Sequence, residues 1–193
     1  LEAQIRGFRQ EQLKEWEFSK DGSNWETVAV PHSYNAEDGH SPYYYRGKAT
    51  YRCDLRINDL KKTHYIFFEG AAQAAVVKVN GEQVASHKGG YTPFSVNITE
   101  ALRKGVNRIE VICDNSEDVD MIPVSSDFNK NGGLHNPVWL LVMEDVYFSP
   151  EDYGIYRLRC ETPEVTKKKV VTNVKARLVN PSNRDANILV RVQ

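Results

Sequence analysis

The sequence predicts an all-β protein of the sandwich or jelly-roll type. Short apolar runs recur along its 193 residues, and several alternate with polar residues at the period of a β-strand. Turn residues separate these runs about every 8–12 residues, which is typical of sandwiches and barrels. No stretch shows the roughly ten residues of amphipathic periodicity that a helix requires. We therefore expect strands and turns, with at most single helical turns between them.

The first third of the chain contains three predicted strands and one long loop. Alternation with polar neighbours predicts a strand around Trp16 and Phe18, and an apolar run predicts another at residues 27–30. The polar segment of residues 32–47 contains three consecutive tyrosines and is called the tyrosine loop below. Apolar residues at period two then predict the clearest half-buried strand, at residues 49–57.

The middle of the chain continues this pattern. The pair Asn80-Gly81 lies between two apolar runs and predicts a tight β-hairpin. Thr99 is expected to cap a single helical turn at residues 99–102. Further strands are predicted at residues 64–68, 75–79, 95–98 and 106–114.

A polar segment, residues 126–136, precedes a strongly apolar run and is called the glycine loop below. Its Gly132-Gly133 pair indicates a loop, and residues 137–143 predict a strand buried on both faces. A carboxylate, carboxamides and an imidazole thus stand at the end of a rigid strand, where folds often present polar groups to ligands. The alternative is a solvated loop in which Asp127 bonds nearby backbone N–H groups.

A domain boundary is predicted near residues 149–154. Three strands, at residues 155–160, at residues 170–178 and from residue 188, follow in about forty residues, whereas an immunoglobulin-like sandwich has about seven strands in 100 residues. The sequence therefore predicts a jelly roll at residues 1–150 and the first strands of an immunoglobulin-like domain at residues 151–193. Their open apolar edge favours pairing with another chain, including a homo-oligomer.

Charge and hydropathy argue against two classes of partner. The 25 basic and 26 acidic residues balance and form no basic stripe, so nucleic acid is not expected as a partner. No apolar stretch approaches the roughly 20 residues of a membrane-spanning helix. Residues 1–10 are polar and show no signal-peptide pattern.

No disulfide framework or cofactor site is expected, and no metal site is expected, although a weak structural cation at residues 114–120 stays open. The three cysteines, Cys53, Cys113 and Cys160, lie in predicted strands and are expected to be small buried hydrophobes. Residues 114–120 begin like a calcium-binding loop, but Val119 occupies the position that requires glycine, and Ser125 replaces the closing glutamate. Three histidines in or beside strands are expected to be structural: His32, His64 and His87.

Six ordered blocks carry a family resemblance. The chain resembles the amino-terminal sugar-binding domain of family 2 glycoside hydrolases, which include β-galactosidases, β-glucuronidases and β-mannosidases. The resemblance covers about residues 10–148 and is closest to the β-galactosidase members. The blocks are Val30-Pro31-His32, Tyr45-Arg46-Gly47, Phe68-Glu69-Gly70, Val77-Lys78-Val79-Asn80-Gly81, residues 87–94, and Asp127-Phe128-Asn129 with Gly132-Gly133-Leu134.

The resemblance implies a galactose-binding-domain-like jelly roll that packs against a catalytic (β/α)8 barrel. In this family the barrel supplies two glutamates, one acid/base and one nucleophile, for a retaining exo-glycosidase. A barrel requires about 250 residues, so this chain is expected to be inactive alone. The implied partners are a β-galactoside-like carbohydrate and the barrel, and the implied location is periplasmic or secreted.

The resemblance also implies substrate-binding residues. Asp127 corresponds to the aspartate that accepts hydrogen bonds from the non-reducing sugar, and Asn129 and His135 share its loop. Tyr43 and Arg46 lie on the other loop that approaches the sugar, although clustered tyrosines also occur in cores and interfaces. Asn136 and Ser33 depart from the family pattern, where arginine and aspartate are common.

Two other classes of function stay open. A jelly roll is a common lectin architecture, so the chain could be a self-sufficient carbohydrate-binding module. The chain could also be a purely architectural domain that supports a barrel or an oligomer. The parent could also be a β-glucuronidase or a β-mannosidase.

Overall fold

The computed structural model describes residues 8–40, 44–120, 130–143, 145–151, 158–182 and 184–188. Short 3₁₀ helices occur at Ala36–His40 and Thr99–Ala101. The strands in these residues are β1 (Phe8–Gln12), β2 (Glu15–Ser19), β3 (Glu26–Ala29), β4 (Lys48–Ile57), β5 (Thr63–Phe68), β6 (Ala74–Val79), β7 (Glu82–Lys88), β8 (Phe94–Asn97), β9 (Gly105–Asp114), β10 (Val138–Met143), β11 (Tyr147–Phe148), β12 (Leu158–Val165), β13 (Val170–Ala176) and β14 (Leu178–Val179).

Two antiparallel sheets form the sandwich. The six-stranded sheet has the order β3-β2-β4-β9-β6-β7, and the four-stranded sheet has the order β1-β10-β5-β8. Strand β4 alternates between buried and more exposed residues over most of its length, as expected for one face on a core. Strand β10 lies inside its sheet and is buried or half-buried throughout. These features confirm the predicted all-β sandwich.

Side chains from both sheets fill the space between them. Trp16 of β2, Tyr51 of β4 and Phe68 of β5 are almost fully buried in this core. The Trp16 indole N–H donates to the Leu13 carbonyl oxygen (2.9 Å), so burial leaves its polar atom paired.

The predicted hairpin at Asn80-Gly81 is confirmed. Both residues have positive φ (53° and 91°), which a tight two-residue turn requires. The Asn80 side chain also joins the turn to the neighbouring strand, because its Oδ1 accepts from the Arg108 backbone N–H (3.1 Å).

The predicted cap at Thr99 is wrong. Thr99 is the first residue of the 3₁₀ helix rather than the residue before it, and Ile98 makes no side-chain cap bond. Instead, Asn97 Oδ1 accepts the Thr99 backbone N–H (3.1 Å) and hydroxyl (2.7 Å). A longer side chain two residues upstream therefore supplies the acceptor.

The last strands form two small sheets. Strands β12 and β13 pair with each other, and β14 pairs with β11, which precedes the predicted boundary at residue 150. Val165 at the end of β12 and Val170 at the start of β13 are 68% and 61% exposed, and every residue of β13 except the half-buried Val171 is exposed, so the apolar residues at period two in β13 are not buried. The strand predicted from residue 188 lies mostly outside the described residues, and Ile188 itself is in no strand.

The cysteines behave differently from one another. Cys113 is buried and Cys53 is half-buried, whereas Cys160 is exposed on β12, so the prediction of burial is wrong for Cys160. All three are free thiols. Within the described ranges, no helix is long and apolar enough to cross a membrane.

The fold should lose stability as the pH falls from 7.5 to 5.5. Burial lowers the imidazole pKa of four histidines, which favours their neutral form: His32, His64, His87 and His135. The unfolded chain, with imidazole pKa values near 6.5, then binds more protons than the folded chain, so stability rises with pH across this window. Thermal unfolding at the two pH values should give the lower Tm at pH 5.5. Equal Tm values would contradict this expectation.

Candidate functional site

Several loops meet at one end of the sandwich. Lys48, the first residue of β4, lies opposite Asp114, the last residue of β9. Ala74 is opposite both Asp114 and Lys88, so the turns at residues 69–73 and 89–93 reach the same end. In the other sheet, β10 starts opposite the end of β5. The tyrosine loop and the glycine loop therefore lie together, and binding residues often lie on such loops.

Hydrogen bonds to the backbone carbonyl of Lys130 hold the described part of the glycine loop in place. This carbonyl accepts hydrogen bonds from Asn35 Nδ2 (2.9 Å), Asn115 Nδ2 (3.0 Å) and the Tyr44 hydroxyl (3.2 Å). Two of these donors, on Asn35 and Tyr44, belong to the tyrosine loop. The position of this carbonyl is thus set from three directions.

The same two carboxamides also hold the tyrosine loop. Asn35 Nδ2 and Asn115 Nδ2 both donate to the Tyr45 carbonyl (3.2 and 3.3 Å). Asn115 Oδ1 accepts from the Gly47 N–H (2.9 Å), and Asn35 Oδ1 accepts from the Gly132 N–H (3.0 Å). Both carboxamides are almost completely buried. A buried network with its bonds satisfied is rigid, so the two loops form one unit.

The Gly132-Gly133 pair lets the backbone approach the core closely. Gly133 has φ +113° and exchanges two backbone hydrogen bonds with Ala72 (3.0 and 3.2 Å). A Cβ atom at Gly132 would overlap the Tyr34 ring, and one at Gly133 would overlap the Tyr51 hydroxyl. Only glycine fits both positions without displacing these rings.

Buried tyrosines beneath the loops keep their protons. Burial raises the pKa of the Tyr34 and Tyr51 phenols well above their ordinary value, so both remain neutral donors. The Tyr34 hydroxyl lies within hydrogen-bond distance of Gly47 O (2.9 Å) and Asn115 Oδ1 (3.0 Å). A hydrogen bond of 2.8 Å joins His32 Nδ1 to the Tyr51 hydroxyl, which supports its structural role.

The predicted site residues fall into two groups. Asp127, Asn129 and Tyr43 lie outside the described residues, so their roles stay predictions. His135 and Arg46 are described, and both lie at the loop end of the sandwich. Arg46 Nη1 forms an ion pair of 2.9 Å with the exposed Glu117 carboxylate, which leaves it near the surface.

His135 occupies a half-buried position at the start of β10. Its Nδ1–H donates to the Gly133 carbonyl (3.4 Å), which places the lone pair of the neutral ring on Nε2. Nε2 is buried and has no hydrogen-bond partner among the described residues. The Tyr91 ring meets the imidazole edge-on, with 5.5 Å between ring centroids. His135 thus borders the loop end, with its acceptor atom turned inward.

Sequence reasoning missed three residues at this end: Asn35, Asn115 and Tyr91. The side chain of Tyr91 is 57% exposed, on the turn between β7 and β8. Asn115 directly follows the β9 strand, and a carboxamide at the end of a buried strand is the signal that could have identified it. The comparison with a calcium-binding loop instead considered the acidic residues of this segment, such as Asp118 and Asp120.

Those acidic residues form ion pairs. Lys88 Nζ lies 2.9 Å from Asp118 and 3.6 Å from Asp120, and the Lys88 ammonium lowers the pKa of the Asp118 carboxyl. Across the ranges that the structure describes, no three His, Cys, Asp or Glu side chains are grouped so that they could hold a metal ion.

Comparison with known proteins identifies the family. The sequence profile described as "Glycosyl hydrolases family 2, sugar binding domain" matches residues 9–144. The chain is 34% identical to a β-galactosidase of Thermoanaerobacter pseudethanolicus, over 78% of this chain and 21% of that protein. It is 33% identical to a β-glucuronidase of Bacteroides fragilis, over 86% of this chain and 24% of that protein.

Solved structures give the same result at the level of the fold. A crystal structure of Bacteroides uniformis β-glucuronidase superposes with a TM-score of 0.82 at 28% identity, over 91% of this chain and 22% of that one. The chain therefore spans about a fifth to a quarter of the length of these relatives. Relatives named for two different sugars resemble it about equally.

Proposed function

The chain belongs to the sugar-binding domain family of family 2 glycosyl hydrolases, and from this premise we propose that it forms one wall of the sugar subsite in a larger retaining exo-glycosidase. In this proposal the domain supplies no catalytic acid or nucleophile. It presents the tyrosine loop and the glycine loop to the non-reducing sugar, and Asp127 accepts hydrogen bonds from that sugar. A catalytic barrel elsewhere in the parent enzyme carries out the hydrolysis.

The observation that supports this proposal most directly is the joining of the two loops at one end of the sandwich. Asn35 and Asn115 bind the Lys130 and Tyr45 carbonyls together, so both loops keep a fixed relative position. Fixed polar loops at a sandwich end suit the recognition of a hydroxyl-rich ligand, because little conformational freedom is lost on binding.

The proposed substrate is a β-galactoside or a β-glucuronide. The relatives divide between these two activities, and the domain's contribution is proposed to be common to both. A panel of nitrophenyl glycosides of galactose, glucuronic acid and mannose, hydrolysed by the full-length parent enzyme, would identify the sugar. The proposal also retains the periplasmic or secreted location and the homo-oligomer expected from the sequence, which fractionation and light scattering of the parent would test.

The isolated chain should bind sugar only weakly, because one wall does not enclose a ligand. Calorimetric titration with galactose, lactose and glucuronate should show no saturation up to roughly 50 mM, well above the 1 mM that corresponds to about 4 kcal/mol. The same preparation should not hydrolyse nitrophenyl glycosides. Saturable binding at or below about 1 mM would instead favour a self-sufficient carbohydrate-binding module.

A further inference from the structure

Two buried asparagines connect the loops that are proposed to reach the sugar. We infer that Asn115 is a positioning residue for sugar binding: its carboxamide fixes the glycine loop against the tyrosine loop, without contacting the sugar itself. The inference rests on the proposed function, because it assumes that these loops form the wall of the sugar subsite.

The geometry around Asn115 carries the inference. All four of its side-chain hydrogen bonds are formed, and its relative exposure is 0%. Its Nδ2 donates to one carbonyl in each loop, Tyr45 O (3.3 Å) and Lys130 O (3.0 Å). Its Oδ1 accepts from Gly47 N–H (2.9 Å) in the tyrosine loop. One planar group therefore sets the distance between the two loops, and burial prevents it from touching a ligand.

Asn35 repeats this arrangement from the other side. It donates to the same two carbonyls, and its Oδ1 holds the Gly132 N–H (3.0 Å). Removal of Asn115 would leave Asn35, the Tyr44 hydroxyl and two backbone hydrogen bonds (His32 N–H to Leu134 O, 2.7 Å, and Tyr34 N–H to Gly132 O, 3.1 Å) to join the loops, and none of these bonds replaces the one that Asn115 Oδ1 accepts from Gly47 N–H. Both loops should then move relative to each other while the β-strands stay in place, and the sugar would meet a wall that is less well ordered.

Asn107 provides a matched control. It is also an asparagine with 0% exposure and four side-chain hydrogen bonds, to Arg103, Gly105 and Asn80. It lies on strand β9, eight residues before Asn115, which directly follows that strand about 26 Å away along the extended chain. The two positions thus share side chain, burial and bonding, and differ in whether they border the loops.

The test compares Asn115→Ala and Asn107→Ala in the full-length parent enzyme. Both variants should lower the Tm similarly, because each leaves buried polar groups unpaired. At a temperature where both remain folded, Asn115→Ala should raise KM about tenfold with little change in kcat, as expected when the ground state and the transition state lose binding equally, and Asn107→Ala should leave KM unchanged. Similar KM values in the two variants would overturn the positioning role.

A milder variant tests the same inference if Asn115→Ala fails to fold. Tyr34→Phe removes a buried hydroxyl that bonds Asn115 Oδ1 and leaves the ring in the core. It should raise KM in the same direction by a smaller factor. A Tyr34→Phe enzyme with unchanged KM, together with a folded Asn115→Ala enzyme of normal KM, would refute the inference.

Amide exchange separates failure of this inference from failure of the proposed function. If the parent enzyme cleaves no glycoside, the proposed function is wrong, and exchange in the 193-residue chain still tests the connection between the loops. The Gly132 N–H bonds Asn35 rather than Asn115, so it should exchange faster in Asn115→Ala than in Asn107→Ala only if Asn115 holds the two loops together. Equal protection of Gly132 in both variants would show that it does not.

Discussion

Replacing Gly133 with alanine should destabilise the protein by about 4 kcal/mol or more, which is a large part of the stability of a typical domain. Two effects add at this position. The backbone has φ +113°, which alanine adopts only with strain. The new Cβ would also overlap the Tyr51 hydroxyl and lie 2.8 Å from the His32 carbonyl oxygen. Neither neighbour can withdraw easily, because Tyr51 is fully buried and the other atom is backbone.

Gly105→Ala is the matched control for this prediction. Gly105 has a similar φ of +101°, but no atom lies within 4 Å of the position that its Cβ would take. It should lose about 1–2 kcal/mol from backbone strain alone. Urea unfolding of both variants measures the difference, which isolates the effect of the overlap. Equal losses in the two variants would mean that the core around Tyr51 adjusts without cost.

Replacing Asp127 with alanine in the full-length parent should reduce kcat/KM by about 10- to 100-fold, because hydrogen bonds to a charged group contribute about 1.5–3 kcal/mol. The expectation follows from the proposed role of this aspartate as an acceptor for sugar hydroxyls. The Tm should stay within about a degree of the unmodified enzyme, because an aspartate that faces ligand rather than protein adds little to folding.

Asp145→Ala serves as the control for Asp127. Asp145 has a side chain that is 95% exposed and follows the far end of β10, away from the loops, so its removal should change neither rate nor Tm. Asp127→Asn gives a graded comparison, since the carboxamide keeps one acceptor oxygen but loses the charge. A lowered Tm for Asp127→Ala with unchanged kcat/KM would instead support a purely architectural role.

Sequence patterns within a few residues predicted the turns and the strands with clear alternation. The hairpin at Asn80-Gly81 was predictable because its backbone requires positive φ at both positions. Strand β1 was missed because its five residues are mainly polar. It lies at the edge of its sheet and pairs with β10, so its side chains carry no clear alternation.

The candidate site was less accessible to sequence reasoning, because its framework consists of long-range contacts. The Asn35 side chain meets the Lys130 carbonyl across 95 residues of sequence, and a buried asparagine has no local pattern. Burial of Cys160 was predicted from its place in a predicted strand, yet among the described strands β12 pairs with β13 alone, and Cys160 is exposed. In both cases the burial of the side chain depends on segments far away in the sequence, which local patterns do not reveal.

The pairing of β11 with β14 limits how this domain can be exchanged between enzymes. A recombination point at residue 150 would agree with the sequence boundary, but it would take β11 from one parent and β14 from another. The Ser149 N–H bonds the Arg177 carbonyl (2.8 Å), and Val179 packs on the cluster that contains Tyr147, so these segments must fit each other. Chimeric enzymes that inherit both strands from a single source should therefore assemble more readily, and a recombination point after about residue 180 would keep this pairing intact.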